Sequence, residues 1–137
     1  MVIDWHKTLN FLYVSRARLA EAALYLIGLV FVRVYLSLLA ALNILNWLLA
    51  YYVNKNVSQN LVVLHYNVNL GVNLIGQARD IYIIPTLGLS FIVINFLLLL
   101  NIYHKNKFVV HLLLGFSLLV NLFLIASTSA IYLINFR

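Results

Sequence analysis

Carboxylate chemistry in this chain of 137 residues would have to be built from three acidic residues, Asp4, Glu21 and Asp80, no two of which are close in sequence. General acid and base work, or a carboxylate cage for a metal, needs such groups to converge in pairs or more, so this inventory disfavours both. Four histidines, His6, His65, His104 and His111, add little. Only His104 and His111, seven residues apart, share a helical side, and a metal held there would need further ligands. His65 is either a structural or exposed polar side chain or a ligand with a proton-linked role. The chain has no Cys, which excludes a thiolate zinc site, an iron–sulfur cluster and a disulfide. It has no Gly-rich phosphate loop, and no Ser stands in a nucleophile elbow. A non-enzymatic protein without a cofactor is therefore expected.

The polar groups that stand out are amides inside apolar runs. Asn43, Asn95 and Asn121 each fall near the middle of such a run, with Asn46 one turn beyond Asn43. Ser117, Asn121 and Thr128 lie within about 40° of one another on a helical wheel, a polar stripe through an apolar helix. In hydrocarbon such groups either hydrogen-bond between helices, at about 1 kcal/mol or less per bond, or line a hydrated path. Pro85, Gly88, Ile92 and Asn95 make one narrow face on which a neighbouring helix could approach closely.

The elements that would position these groups are membrane spans. Hydrophobic residues make up 65% of the chain, charged residues 9%, and mean hydropathy is +1.02, a composition that no soluble core could hide. A crossing takes about 20 residues. Residues 34–53, 81–101 and 108–134 supply three, with Trp47, Tyr51 and Tyr52 at the far end of the first, where an aromatic belt belongs. Residues 1–32 read as an amphipathic segment, with Lys7, Arg16 and Arg18 facing lipid headgroups and Arg33 at the border. Ala22 to Val32 is then either interfacial or the submerged start of one long, tilted helix. The alternative puts Arg33 inside the bilayer, where its charge would need a partner or water. The fold class is an all-α membrane protein with three transmembrane helices, an N-terminal interfacial helix and a small extracytoplasmic β-hairpin.

That hairpin is read from residues 54–80. Leu64, Tyr66, Val68, Leu70, Val72 and Leu74 alternate with His65, Asn67, Asn69, Gly71 and Asn73, the two-residue period of a strand with one covered face. Gly71 is the expected point of reversal. His65, Tyr66, Asn67 and Gly71 are the candidate contacts to a partner. Lys7, Arg16, Arg18, Lys105 and Lys107 on one side, against Lys55, Arg79 and Arg137 on the other, favour a cytoplasmic N-terminus. The formal net charge of +6 reports orientation and anionic lipid rather than nucleic acid.

The residues His65-Tyr66-Asn67, Gly71, Gly76 and Pro85, with Asn95 in the next helix, resemble the extracytoplasmic segment of the SdpI-like immunity-protein family of small bacterial membrane proteins. That pattern has a His, an aromatic or polar stretch, a Gly, and a Pro opening the following span. The chain departs from it at Leu61 to Leu64, which holds no Pro, and at Asn73, where an acidic residue is expected. The resemblance implies a bacterial inner membrane, a hairpin outside and a role in immunity or signalling, and it carries over no catalytic residue. Two functions follow as expectations. One is an accessory or structural subunit with a membrane-protein partner or a homo-oligomer, in the bacterial or alternatively the mitochondrial inner membrane. The other is a small transporter, channel or immunity protein whose oligomers line a pore with Asn43, Asn95 and Asn121.

Overall fold

The computed structural model describes residues 5–57, 61–67, 71–102 and 106–136, with the side chains of 5–15, 65–67 and 71–73 outside that description. Lys7 therefore lies in a helix whose side chains are undescribed there, and His104 and Arg137 lie outside the described residues. The order is helix α1 (Trp5–Gly28), helix α2 (Val30–Asn56), strand β1 (Leu61–Asn67), strand β2 (Gly71–Gln77), a 3-10 turn (Ala78–Tyr82), helix α3 (Ile83–Ile102) and helix α4 (Lys107–Asn135). Three stretches, Val30–Asn56, Ala78–Ile102 and Lys107–Asn135, are long and apolar enough to cross a bilayer. At about 1.5 Å per residue α2 runs about 40 Å, more than the roughly 30 Å of hydrocarbon.

The helix that holds residues 34–53 begins at Val30, and the single long helix considered for Ala22 to Val32 does not form. Leu29 breaks it: its backbone is extended (φ −75°, ψ 122°), with no side-chain cap. Leu29 N–H donates to the Leu26 carbonyl and Arg33 N–H to the Leu29 carbonyl, both at 3.1 Å, so the helical ladder stops and restarts across this one residue. Arg33 thus sits, exposed, in the first turn of α2. Ala22 and Leu26, one turn apart, are buried, and Leu26 joins Val32, Leu39, Leu99, Val110 and Leu114 in a core cluster. The last turns of α1 therefore pack on the end of the bundle, while Arg16, Arg18 and Glu21 are exposed.

Pro85 is the third residue of α3. In the first turn of a helix a missing N–H is tolerated best. Asn106 caps α4, its Oδ1 accepting from Phe108 N–H at 2.9 Å.

The hairpin corrects the sequence reading in two ways. β1 starts at Leu61, not Leu64, and Asn67 pairs with Gly71, so Gly71 is already strand and not the point of reversal. A period of two continues through a reversal without a break, which is why the alternation hid it. Pairing runs Leu61 with Gln77, Val62 with Gly76 and Val63 with Ile75, then shifts at Val63/His65 and again at His65/Tyr66. The first shift leaves Leu64 without a partner on β1 and the second leaves Asn73 without a partner on β2, irregularities that change which side chains face inward. Val62 is fully buried, and Leu64 packs on the cluster of Ala50, Val53, Ala78, Ile81 and Ile131. Leu74, expected on the covered face, is 54% exposed. A two-stranded sheet is marginal alone, and this one leans on the ends of α2 and α4 and on the turn before α3.

Candidate functional site

The buried polar groups of the three long helices meet in one layer along the bundle axis. Asn43, Asn46, Asn95, Ser117, Asn121 and Thr128 are all 7% exposed or less. On α4, Ser117, Asn121 and Thr128 share a stripe with buried Val110, Leu114 and Ile131. On α2, Asn43 and Asn46 lie in the stripe of Val32, Leu39, Ala50 and Val53. On α3 the buried residues are Pro85, Gly88, Asn95 and Leu99.

Asn43 ties all three helices. Its Nδ2 donates to the Pro85 carbonyl at 3.0 Å and to Asn121 Oδ1 at 3.4 Å. Asn121 in turn donates from Nδ2 to the Ser117 carbonyl of its own helix at 3.0 Å, which fixes its Oδ1 toward α2. The slot that admits this pair is Gly88. A Cβ there would stand 2.7 Å from Asn121 Oδ1, 2.8 Å from Asn43 Nδ2 and 3.2 Å from Leu124 Cδ1. Only a hydrogen fits.

Toward the α1 end, Asn95 Nδ2 donates to Ser117 Oγ at 2.7 Å, and that hydroxyl donates to the Leu113 carbonyl at 3.0 Å. Toward the hairpin end, Thr128 Oγ1 lies 2.6 Å from Asn46 Oδ1 and 3.0 Å from the Leu124 carbonyl, while Asn46 Nδ2 is buried without a partner. A hydroxyl has one proton, and both contacts ask it to donate. Turning the Asn46 amide over places Nδ2 against Thr128 Oγ1, leaves the hydroxyl proton for Leu124, and gives the orphan nitrogen an acceptor.

The chemistry of this layer is mutual satisfaction of neutral amides and hydroxyls. It provides no charge, and the groups point into the bundle of one chain. Among the described residues no three of His, Cys, Asp and Glu come together as metal ligands. His111 is exposed, its ring stacked on Phe31 at 4.4 Å and edge-on to Tyr35 at 5.8 Å. Strand pairing places His65, Tyr66, Asn67 and Gly71 in the half of the hairpin nearest its reversal.

Asn135, absent from the sequence candidates, joins the hairpin to the bundle. Its Oδ1 accepts from Val63 N–H at 2.9 Å, and its Nδ2 donates to the Val63 carbonyl at 3.1 Å and to the Ile131 carbonyl at 2.8 Å. The signal was present: Asn135 follows Thr128 by seven residues, as Thr128 follows Asn121, so it continues the same stripe. At this end Asn54 Nδ2 donates to the Tyr82 hydroxyl at 3.3 Å, Trp47 stacks on Tyr82 at 5.7 Å, and Tyr52 lies 5.7 Å from Tyr132. No protein-family model matches the chain, and neither a curated protein nor a solved structure does.

Proposed function

We propose that the chain is a non-enzymatic integral membrane protein, a three-span accessory or structural subunit with a rigid bundle. The observation that carries this is the Asn43 amide, which bridges α2, α3 and α4 through Pro85 and Asn121. Polar groups at mid-span are used to hold the helices together, the ordinary role of amides in hydrocarbon. Partner contact is assigned to the lipid-facing flanks of the spans and to the hairpin tip, with His65, Tyr66, Asn67 and Gly71. Lys7, Arg16, Arg18 and Arg33 meet anionic headgroups on the N-terminal side, which is taken as cytoplasmic, and the hairpin is extracytoplasmic. The bacterial inner membrane and the SdpI-like kinship belong to this proposal, with the mitochondrial inner membrane as the alternative compartment.

A pore lined by Asn43, Asn95 and Asn121 would require these side chains to leave the bundle interior. Single Cys substitutions at the three positions separate the readings. Protection from a membrane-impermeant thiol reagent in intact membranes is expected, and labelling from water at all three would overturn the packing role. Purification in mild detergent, followed by identification of co-eluting chains, tests the subunit role. Elution alone as a monomer counts against it.

A further inference from the structure

The sheet presents a second face, opposite the one that packs on the bundle. Successive residues of a strand point to opposite sides, so Val62, Leu64 and Gly76 face the bundle while Leu61, Val63 and Ile75 share the outward face with Gln77, the partner of Leu61. Leu61 is 55% and Ile75 58% exposed. With Val57 and Phe136 from the ends of α2 and α4 they line a groove of about 430 Å³, whose polar part is the amides of Asn56 and Asn135. No charged residue is among its described lining residues.

Side chains cap backbone groups on each outer edge at the base of the hairpin. Asn135 takes the N–H and carbonyl of Val63 on one edge, and Asp80 Oδ2 accepts from Gln77 N–H at 2.8 Å on the other. Capping blocks a partner strand from adding there, and it is also what backbone needs where water is scarce. The apolar surface runs on without a charged residue from exposed Leu133 and Ile134 of α4 to Phe136. Phe136 lies 5.1 Å from Tyr132, itself beside Tyr52, so the groove continues an aromatic girdle of the kind found at membrane interfaces.

We propose that the outward face of the hairpin base, Leu61, Val63 and Ile75 with Phe136, is seated in the bilayer at the boundary of headgroups and acyl chains, and that lipid occupies its groove. This rests on the three-span reading and adds to it: the base is a membrane contact, which leaves only the tip for a protein partner. The absence of Cys gives a clean test. Single variants Ile75→Cys and Leu61→Cys are labelled with an environment-sensitive fluorophore and reconstituted at low protein density in phosphatidylcholine and phosphatidylglycerol vesicles. Arg79→Cys, on an exposed residue, serves as the aqueous control and Leu97→Cys, within α3, as the mid-span control.

Expected is loss of most of the emission at Ile75 and Leu61 to a lipid carrying its nitroxide high on the acyl chain, with little loss to iodide, and the reverse at Arg79. Quenching of Ile75 by iodide as strongly as Arg79 overturns the proposal by placing the face in water. Protection from both quenchers overturns it by placing a second copy there. Escape of the Leu97 label from a mid-chain nitroxide overturns the three-span reading itself, an outcome distinct from failure at the hairpin.

Discussion

Replacing Gly88 with Ala tests whether the amide layer sets the spacing of the three spans. The added Cβ would meet Asn121 Oδ1 at 2.7 Å and Asn43 Nδ2 at 2.8 Å, closer than real Cβ atoms approach, and neither partner is free to yield. Asn121 is tethered to the Ser117 carbonyl and Asn43 to the Pro85 carbonyl. Either α3 moves out or the amides turn away. Overpacking of a closed site costs about 1–3 kcal/mol, and loss of the two Asn43 bonds adds about 0.5–1 kcal/mol each. Against this, Ala is favoured over Gly in a helix by about 0.5–1 kcal/mol. The net expectation is a loss of about 1–4 kcal/mol, read as a shift in unfolding from mild detergent into denaturing micelles. The decisive measurement repeats the substitution in a chain carrying both Asn43→Ala and Asn121→Ala. With both amides gone the clash is confined to the mobile end of Leu124, so Gly88→Ala should become neutral or stabilising by up to about 1 kcal/mol. A penalty of the same size in both backgrounds refutes the reasoning, because the obstacle would then not be the amide pair.

Three further outcomes follow from other contacts. Thr128→Val leaves the Asn46 amide buried without any partner and should cost about 1–3 kcal/mol, whereas Thr128→Val with Asn46→Leu should cost less than Thr128→Val alone; additive losses in the same unfolding assay contradict the pairing. Asn135→Leu removes both bonds to Val63 and should speed amide exchange there by about tenfold, for about 1–2 kcal/mol of lost anchoring, while the stability of the spans in detergent is unchanged; unaltered exchange at Val63 would show that the hairpin is held by Val62 and Leu64 alone. Reporter fusions after Asn60 and after Lys107 should report opposite sides of the membrane, and identical sides would overturn the crossing of α3.

The three long apolar helices were legible because their length and apolarity are those a bilayer crossing requires, and because few residues of the chain could interrupt them. The polar stripe of α4 was legible for a related reason: a helix repeats at a fixed angle, so Ser117, Asn121 and Thr128 declare one face before any partner is known. Which face of α2 they meet, and that Gly88 is the gap between them, depends on the rotation of each helix about its own axis, and no periodicity within one helix encodes that. The break at Leu29 was hidden for a different reason. Gly28 is the only local residue that weakens a helix there, and the surrounding leucines and valines read equally well as continuous. The register was not legible because the unpaired residues Leu64 and Asn73 shift the pairing while apparent alternation continues. What anchors the register is tertiary: Val62 in the cluster with Ile81 and Ile131, and the Asn135 amide standing where a neighbouring strand's peptide group would be. A strand whose edge at Val63 is closed by its own last helix cannot recruit a partner strand at that point.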